Sequence, residues 1–149
     1  MKEVEKIFNQ LNSMLMGETE TVYSDKVVTL AYEPLNVGKI KNPDGKSEAQ
    51  GECGDKMWIS FKVENGNIAD VRFLTDGCGA TLACGSAVTE LAKGKTPYQA
   101  MKIYPQNVVQ YLDGLPASHL HCSVLAVNAL KRALKYYKEN SDDKKNKSP

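Results

Sequence analysis

The fold of this chain is decided by residues 57–73, which read Met57-Trp58-Ile59-Ser60-Phe61-Lys62-Val63-Glu64-Asn65-Gly66-Asn67-Ile68-Ala69-Asp70-Val71-Arg72-Phe73. Apolar side chains recur at every second position in each half of this stretch, which is the pattern of a strand with one buried face. These alternating residues are Met57, Ile59, Phe61 and Val63 in the first half and Ala69, Val71 and Phe73 in the second. Asn65-Gly66 between them is typical of a tight turn. The stretch therefore predicts an antiparallel β-hairpin.

Before the hairpin, the sequence predicts two helices and an edge strand. The first helix is indicated by apolar residues at helical spacing, namely Val4, Phe8, Leu11 and Leu15. A second helix is predicted over residues 25–32, with Ser24 as its N-cap and Pro34 beyond its end. The turn-rich segment that follows, residues 34–54, is predicted to be extended, with one edge strand at residues 45–50.

After the hairpin, the sequence turns helical. Helices are predicted over residues 80–92, from Thr96-Pro97 onward, and over residues 106–112. A long final amphipathic helix is marked by Leu120, Val124, Val127, Leu134 and Tyr137. Strands gathered early and helices late predict an α+β fold. We divide the chain into a helical extension and linker (1–20), one folded domain (21–139) and a Lys-rich, disordered tail (140–149).

Composition limits the classes of function. The chain has 149 residues, 42% of them hydrophobic and 25% charged, with a formal net charge of +1. This balance is ordinary for a globular domain and gives no reason to expect a nucleic-acid or membrane partner. Because the sequence has neither a signal-peptide pattern nor a long apolar run, we expect a cytoplasmic protein with reduced thiols. Metal or sulfur chemistry is then a better interpretation of its four cysteines than disulfides.

Three cysteines lie where predicted elements begin or end: in Cys53-Gly54-Asp55, in Gly77-Cys78-Gly79 and in His121-Cys122. Thiolate, imidazole and carboxylate are ligands that proteins offer to zinc and to iron–sulfur clusters. Cys78 and Cys122 each precede a predicted helix, whose dipole should lower the thiol pKa. Taken singly, each motif also fits a buried cysteine in a turn or a surface histidine. Their common placement at element ends favours one shared site.

Two further residues, Cys84 and His119, each have more than one possible role. Cys84 falls inside the helix predicted over residues 80–92, which favours a buried small apolar residue, with a fourth ligand or a resolving thiol as the alternative. His119 lies two residues from His121 and is either a spare ligand or a residue facing solvent.

Over residues 22–137 the motifs resemble, in order, the iron–sulfur cluster assembly scaffolds of the IscU type, equivalent to the N-terminal domain of NifU. The related SufU type carries an insertion and lacks the histidine before its last cysteine, whereas this chain has His121. The motifs that carry the resemblance are Tyr23-Ser24-Asp25-Lys26-Val27, Pro34-Leu35-Asn36-Val37-Gly38-Lys39-Ile40, Cys53-Gly54-Asp55, Gly77-Cys78-Gly79-Ala80, Thr89-Glu90-Leu91, Lys93-Gly94-Lys95, Leu115-Pro116 and His121-Cys122-Ser123.

The resemblance implies a small, mostly antiparallel three-stranded sheet covered on one face by helices. It also implies a scaffold and carrier, not an enzyme. Such a scaffold accepts persulfide sulfur from a pyridoxal-phosphate cysteine desulfurase, binds iron and holds a transient [2Fe–2S] cluster for apo-proteins. Electron donors and iron-delivery proteins are further implied partners, and zinc is a second candidate for the metal in the isolated protein. By position, Cys53, Cys78 and Cys122 would bind the cluster, Cys122 would accept the persulfide, and Asp55 and His121 would be the ligands without sulfur.

The chain departs from the family pattern at three places. The family segment Leu-Pro-Pro-x-Lys, which recruits a dedicated chaperone, is replaced by Leu115-Pro116-Ala117-Ser118-His119, which leaves chaperone use open. Cys84 stands where Ser or Ala is expected. The N-terminal helix is longer than in minimal members, so it can pack on the domain or mediate a homodimer.

Two other functions compete with the scaffold. In a zinc-dependent sulfurtransferase, Cys53, Asp55, Cys78 and Cys122 would bind zinc, and one cysteine would leave the metal to accept sulfur. In a structural zinc module, chelation would unfold the domain, because such a metal contributes folding free energy directly.

Overall fold

The computed structural model describes residues 4, 5, 7 and 22–147, with side chains up to residue 141. Val4, Glu5 and Ile7 have helical backbone. The remaining residues that predict the first helix, Phe8, Leu11 and Leu15, lie outside the described residues. Within the described part of the chain, no helix combines the length and apolarity needed to cross a membrane.

The sheet has three antiparallel strands in sequence order: β1 (Gly45–Gln50), β2 (Lys56–Glu64) and β3 (Asn67–Thr75). β1 is the predicted edge strand, and β2 and β3 form the predicted hairpin. Asn65 and Gly66 make the turn with φ values of 55° and 82°, which suits Asn and Gly in a two-residue loop. On the far side of β3, the backbone at Asn36 and Gly38 bonds to Phe73 and extends the edge.

The prediction of which β3 side chains are buried is wrong at one position. We expected Ala69 to share the buried face with Val71 and Phe73, but Ala69 is exposed and Ile68 is fully buried. The register shifts between Lys62 and Val63, so that Val63 pairs with Ile68. A bulge of this kind reverses which side chains point inward beyond it.

The helices follow the predicted order and confirm the α+β class. Ser24 caps the first helix, since its hydroxyl accepts a 3.1 Å hydrogen bond from the backbone N–H of Val27. Thr96 caps another through a capping box with Gln99. The helices are α1 (Asp25–Tyr32), α2 (Gly79–Ala92), α3 (Pro97–Ala100), α4 (Pro105–Tyr111) and α5 (Leu120–Lys147), with a 3₁₀ turn (Ala117–His119) before α5.

One face of the sheet carries the core. Helix α5 packs on β1 and β2, α2 packs on β3, and the two helices contact each other. The approach of α2 to β3 requires Gly85, because a Cβ there would lie 2.3 Å from the ring of Phe73. Cys84 is fully buried in this core, which agrees with its interpretation as a small apolar residue.

Helix α5 differs from its prediction in length and in buried face. It continues to Lys147, past the start of the predicted disordered tail, in a stretch with no Gly or Pro between Pro116 and Pro149. Leu120 and Val124, which we took as markers of the inner face, are 44% and 45% exposed. They belong to the first turns of α5, which extend beyond the sheet toward the cysteine motifs.

Candidate metal centre

Strand connectivity brings the three cysteine motifs to one end of the sheet. Gln50, the last residue of β1, pairs with Lys56 at the start of β2, and Met57 pairs with Thr75 at the end of β3. The β1–β2 loop holds Cys53, and the junction of β3 with α2 holds Cys78. Both segments therefore lie at the same end of the sheet. Helix α5 begins at the same end, so the segment around Cys122 completes the cluster.

The β1–β2 loop is a tight turn that presents Cys53 to solvent. The backbone N–H of Gly51 donates to Asp55 O at 2.8 Å, and the N–H of Gly54 donates to Gly51 O at 3.0 Å. Gly54 has φ +86°, a conformation that disfavours any residue with a side chain. Cys53 Sγ lies 3.2 Å from His121 Nε2, while Asp55 is half-buried and turns toward α2.

Cys78 is the N-cap residue of α2, as predicted, and its thiol is exposed. Burial raises the pKa of this thiol, but hydrogen bonds from Thr81 N–H, the Thr81 hydroxyl and Ala80 N–H outweigh that effect and lower the pKa. The Asp55 carboxylate opposes this lowering. The predicted activation of Cys78 by a helix N-terminus is therefore confirmed in direction.

For Cys122, the same prediction is wrong. This residue is the third of α5 and only 1% exposed. Burial raises the pKa of its thiol, as do the negative charges of the neighbouring thiols and carboxylate, and the hydrogen bond from the Thr81 hydroxyl lowers it only in part. Cys122 is therefore buried with a raised thiol pKa, whereas Cys78 is exposed with a lowered one.

Thr81 is a site residue that the sequence analysis missed. Its side chain is fully buried, and its hydroxyl lies 3.5 Å from Asp55 Oδ2, 3.5 Å from Cys122 Sγ and 3.7 Å from Cys78 Sγ. A single hydroxyl thus links members of all three motifs. The available signal was the spacing of three residues from Cys78, which places both side chains on one face of a helix.

The rings of the two histidines stack, with centroids 6.1 Å apart, and they contact different thiols. His121 Nε2 is 3.2 Å from Cys53 Sγ and 3.6 Å from Cys122 Sγ. His119, in the 3₁₀ turn, belongs instead to a group with Cys78 and Cys122 in which one ligand atom of each lies within 4.8 Å of the others. Among the described residues, this is the one such group of metal-binding type. Of the two options the sequence left open for His119, the solvent-facing one does not hold, because the residue is half-buried and its Nδ1 is buried, while its role as a ligand stays a prediction.

Tyr23 makes a further contact to His119 at this site. It precedes α1, and its hydroxyl lies 2.7 Å from His119 Nε2. The other ring nitrogen of His119, Nδ1, is buried and has no hydrogen-bond partner among the described residues. Burial, followed by the charge of His121, lowers the pKa of His119, which favours a neutral ring.

The donor atoms suit soft or borderline metals. Three thiols, two imidazoles and one carboxylate meet at one end of the sheet, where Cys53 and Cys78 are open to solvent. Zinc and iron–sulfur clusters accept this combination. The five predicted site residues thus lie close together, but their roles as ligands stay predictions.

Comparison with known proteins agrees with this fold. A family profile, the NifU-like N terminal domain, matches residues 22–144. The iron–sulfur cluster assembly scaffold protein IscU 1 of Archaeoglobus fulgidus is 46% identical over 121 residues, which cover 80% of this chain and 79% of that protein.

Two solved structures share the fold. One is a candidate iron–sulfur cluster assembly scaffold protein for the SUF system of Fervidobacterium islandicum AW-1, with a TM-score of 0.63, 22% identity, and coverage of 75% of this chain and 96% of that one. The other is the N-terminal part of a nitrogen-fixing NifU-like protein from Brucella abortus, with a TM-score of 0.59, 15% identity, and coverage of 77% and 93%.

Proposed function

Because this chain belongs to the family of NifU-like N terminal domains, we propose that it is an iron–sulfur cluster assembly scaffold, a carrier and not an enzyme. The observation that carries this proposal is the meeting of Cys53, Cys78 and Cys122 at one end of the sheet, with Asp55 and His121 beside them. At this end of the sheet a cluster is exposed to the proteins that must build it and remove it. A durable electron carrier, by contrast, holds its cluster with four thiolates.

We propose Cys122 as the acceptor of sulfur. Its thiolate attacks the terminal sulfur of a persulfide on a pyridoxal-phosphate cysteine desulfurase, a Cys122 persulfide forms, and the desulfurase cysteine leaves as a thiolate. No oxidant is needed, because the sulfur moves with its oxidation state unchanged. The proton of Cys122 can pass to His121 Nε2, 3.6 Å away. Cys78, exposed and with a lowered pKa, is the competing acceptor.

A [2Fe–2S] cluster offers four positions to protein ligands. We propose that Cys53, Cys78 and Cys122 fill three of these positions and that Asp55 or His121 fills the fourth. A carboxylate or imidazole binds less tightly than a thiolate in such a site, so the cluster is held weakly enough to pass to apo-proteins. Reduction of the incoming sulfur and supply of iron would require an electron donor and an iron-delivery protein, in the reducing cytoplasm.

The surface beside the site suits docking of such partners. Leu120 and Val124 of α5 are 44% and 45% exposed, and each lies two positions from Cys122 in the same helix. Exposed apolar side chains close to a reactive centre are typical of a protein–protein interface. We propose that the desulfurase and the apo-proteins dock at this end of the domain.

A zinc-dependent sulfurtransferase is the second candidate, and one observation favours it. One ligand atom from each of Cys78, His119 and Cys122 lies within 4.8 Å of the others, close enough for the three to bind one ion after a small movement. In that case the protein would keep zinc, accept sulfur and never form a cluster.

The deciding experiment measures iron and acid-labile sulfide per chain after anaerobic incubation with ferrous iron, cysteine, a desulfurase and a reductant. We expect near-equal iron and sulfide with the visible absorption of a cluster, and loss of both in Cys122→Ser. Cys84→Ala is the matched control, because Cys84 is a fully buried side chain of the apolar core that alanine can replace, and it should assemble cluster normally. Zinc retained without sulfide would overturn the scaffold and support the sulfurtransferase.

A further inference from the structure

We propose that His119 is a metal ligand in this protein and that it binds one divalent ion together with Cys78 and Cys122. The inference rests on the proposed function only in that Cys78 and Cys122 also serve the cluster. It adds a residue outside the ligand set of Cys53, Asp55, Cys78, His121 and Cys122, and it describes a site for a single ion.

The distances fit an ion after a small movement. One ligand atom from each of Cys78, His119 and Cys122 lies within 4.8 Å of the others. In a tetrahedral zinc site, with bonds of about 2.0–2.3 Å, neighbouring ligand atoms lie roughly 3.3–3.8 Å apart. The group must therefore contract by about 1 Å. Cys78 can supply this movement because its side chain is exposed, whereas Cys122 is held in the core.

The surroundings of His119 prepare one nitrogen for a metal. Its Nε2 is 2.7 Å from the hydroxyl of Tyr23, and its Nδ1 is buried without a partner among the described residues. A neutral imidazole carries its proton on one nitrogen only. A proton on Nε2 is donated to the Tyr23 oxygen and leaves a lone pair on Nδ1, whereas a proton on Nδ1 would be a buried donor with no acceptor.

Tyr23 is therefore a positioning residue for His119. Histidines that bind metals commonly donate their second N–H to a fixed oxygen, which sets the tautomer and the ring orientation. The Tyr23 and His119 rings also pack together, with centroids 5.4 Å apart. These contacts join two segments distant in the chain and hold the imidazole beside the thiols before any ion binds.

The two histidines lie close to different thiols. His121 Nε2 lies against Cys53 Sγ, and His119 lies with Cys78, while Cys122 is close to both. Binding of one divalent ion to Cys78, His119 and Cys122 releases the two thiol protons and gives a site without net charge. This arrangement leaves Cys53 and His121 free while the single ion is bound.

The test is anaerobic titration of the reduced, metal-free full chain with Co²⁺, followed by competition with Zn²⁺. Cobalt–thiolate absorption reports binding, and X-ray absorption of the zinc form counts nitrogen and sulfur ligands. The variants are His119→Gln, which keeps an amide for Tyr23 but loses the imidazole, and Tyr23→Phe, which keeps the ring. His121→Gln is the comparison, and circular dichroism verifies that each variant is folded.

We expect His119→Gln to weaken Co²⁺ binding by about 100-fold and to remove one nitrogen from the zinc shell. Loss of an orienting partner commonly costs metal affinity about 10–100-fold, so Tyr23→Phe should weaken binding by about 10-fold. His121→Gln should keep the nitrogen that His119→Gln loses. Unchanged affinity and an unchanged nitrogen count in His119→Gln would overturn the inference, as would loss of that nitrogen in His121→Gln alone.

The two proposals fail in different ways. If the wild-type chain assembles a cluster while His119→Gln binds Co²⁺ as the wild type does, the function stands and the His119 site is wrong. If His119→Gln loses the ion while the wild-type chain never acquires sulfide, the site stands and the scaffold is wrong.

Discussion

Replacing Thr81 by Val should slow the reaction of Cys78 with an alkylating reagent. The Thr81 hydroxyl is one of the groups that lower the pKa of Cys78, and valine keeps the shape of the side chain without the donor. The backbone N–H groups of Thr81 and Ala80 remain, so the effect is the loss of one hydrogen bond from several.

The size of the effect follows from that bond. A hydrogen bond to a charged group contributes about 1.5–3 kcal/mol, and the 3.7 Å separation of Thr81 Oγ1 and Cys78 Sγ places this one below that range, near 1 kcal/mol. Since 1.4 kcal/mol corresponds to a factor of ten, the thiolate fraction of Cys78 should fall about fivefold at a pH below its pKa.

The assay is the rate of iodoacetamide modification of each cysteine between pH 6 and 9, resolved by mass spectrometry of peptides from the metal-free protein. Thr81→Ser keeps the hydroxyl and should react as the wild type does. Thr89→Val, a second buried threonine of the same helix, controls for any general loosening of α2. The reasoning is refuted if Thr81→Val leaves the Cys78 rate unchanged or if Thr89→Val slows it equally.

Three further changes test other parts of the structure. Asp55→Ala should slow cluster transfer to an acceptor protein, since the weakly binding carboxylate is removed; unchanged transfer kinetics would exclude Asp55 from this role. Cys122→Ser should abolish persulfide capture from the desulfurase, and a label that persists on Cys78 would assign the acceptor role there. Gly85→Ala should destabilise the fold by about 1–3 kcal/mol in urea unfolding, because its Cβ would lie 2.3 Å from the Phe73 ring; unchanged stability would contradict the close packing of α2 on β3.

The elements of the fold could be predicted from the sequence because their signals are local. The alternation of apolar residues in β2 and β3, the Asn65-Gly66 turn and the caps at Ser24 and Thr96 each involve neighbours within a few residues. The bulge at Lys62 and Val63 could not be predicted, since it depends on how two strands pair and not on either strand alone.

The candidate site was predicted in part for the same reason. Cysteines at element ends, with Gly, Asp or His beside them, are visible in the sequence, and β-connectivity brings such ends together. Burial is not visible in this way. Cys78 and Cys122 both stand near helix N-termini, yet one is exposed with a lowered pKa and the other is buried with a raised one.

The sequence alone determined the α+β class, the order of its elements and the residue types that meet at one end of the sheet. Only the tertiary structure decided that Thr81 links the thiols to Asp55 and that Tyr23 holds His119. The Tyr23 and His119 side chains are 96 residues apart in the chain and 2.7 Å apart in space. Such a contact depends on the packing of whole elements, which no periodicity or spacing within one segment encodes.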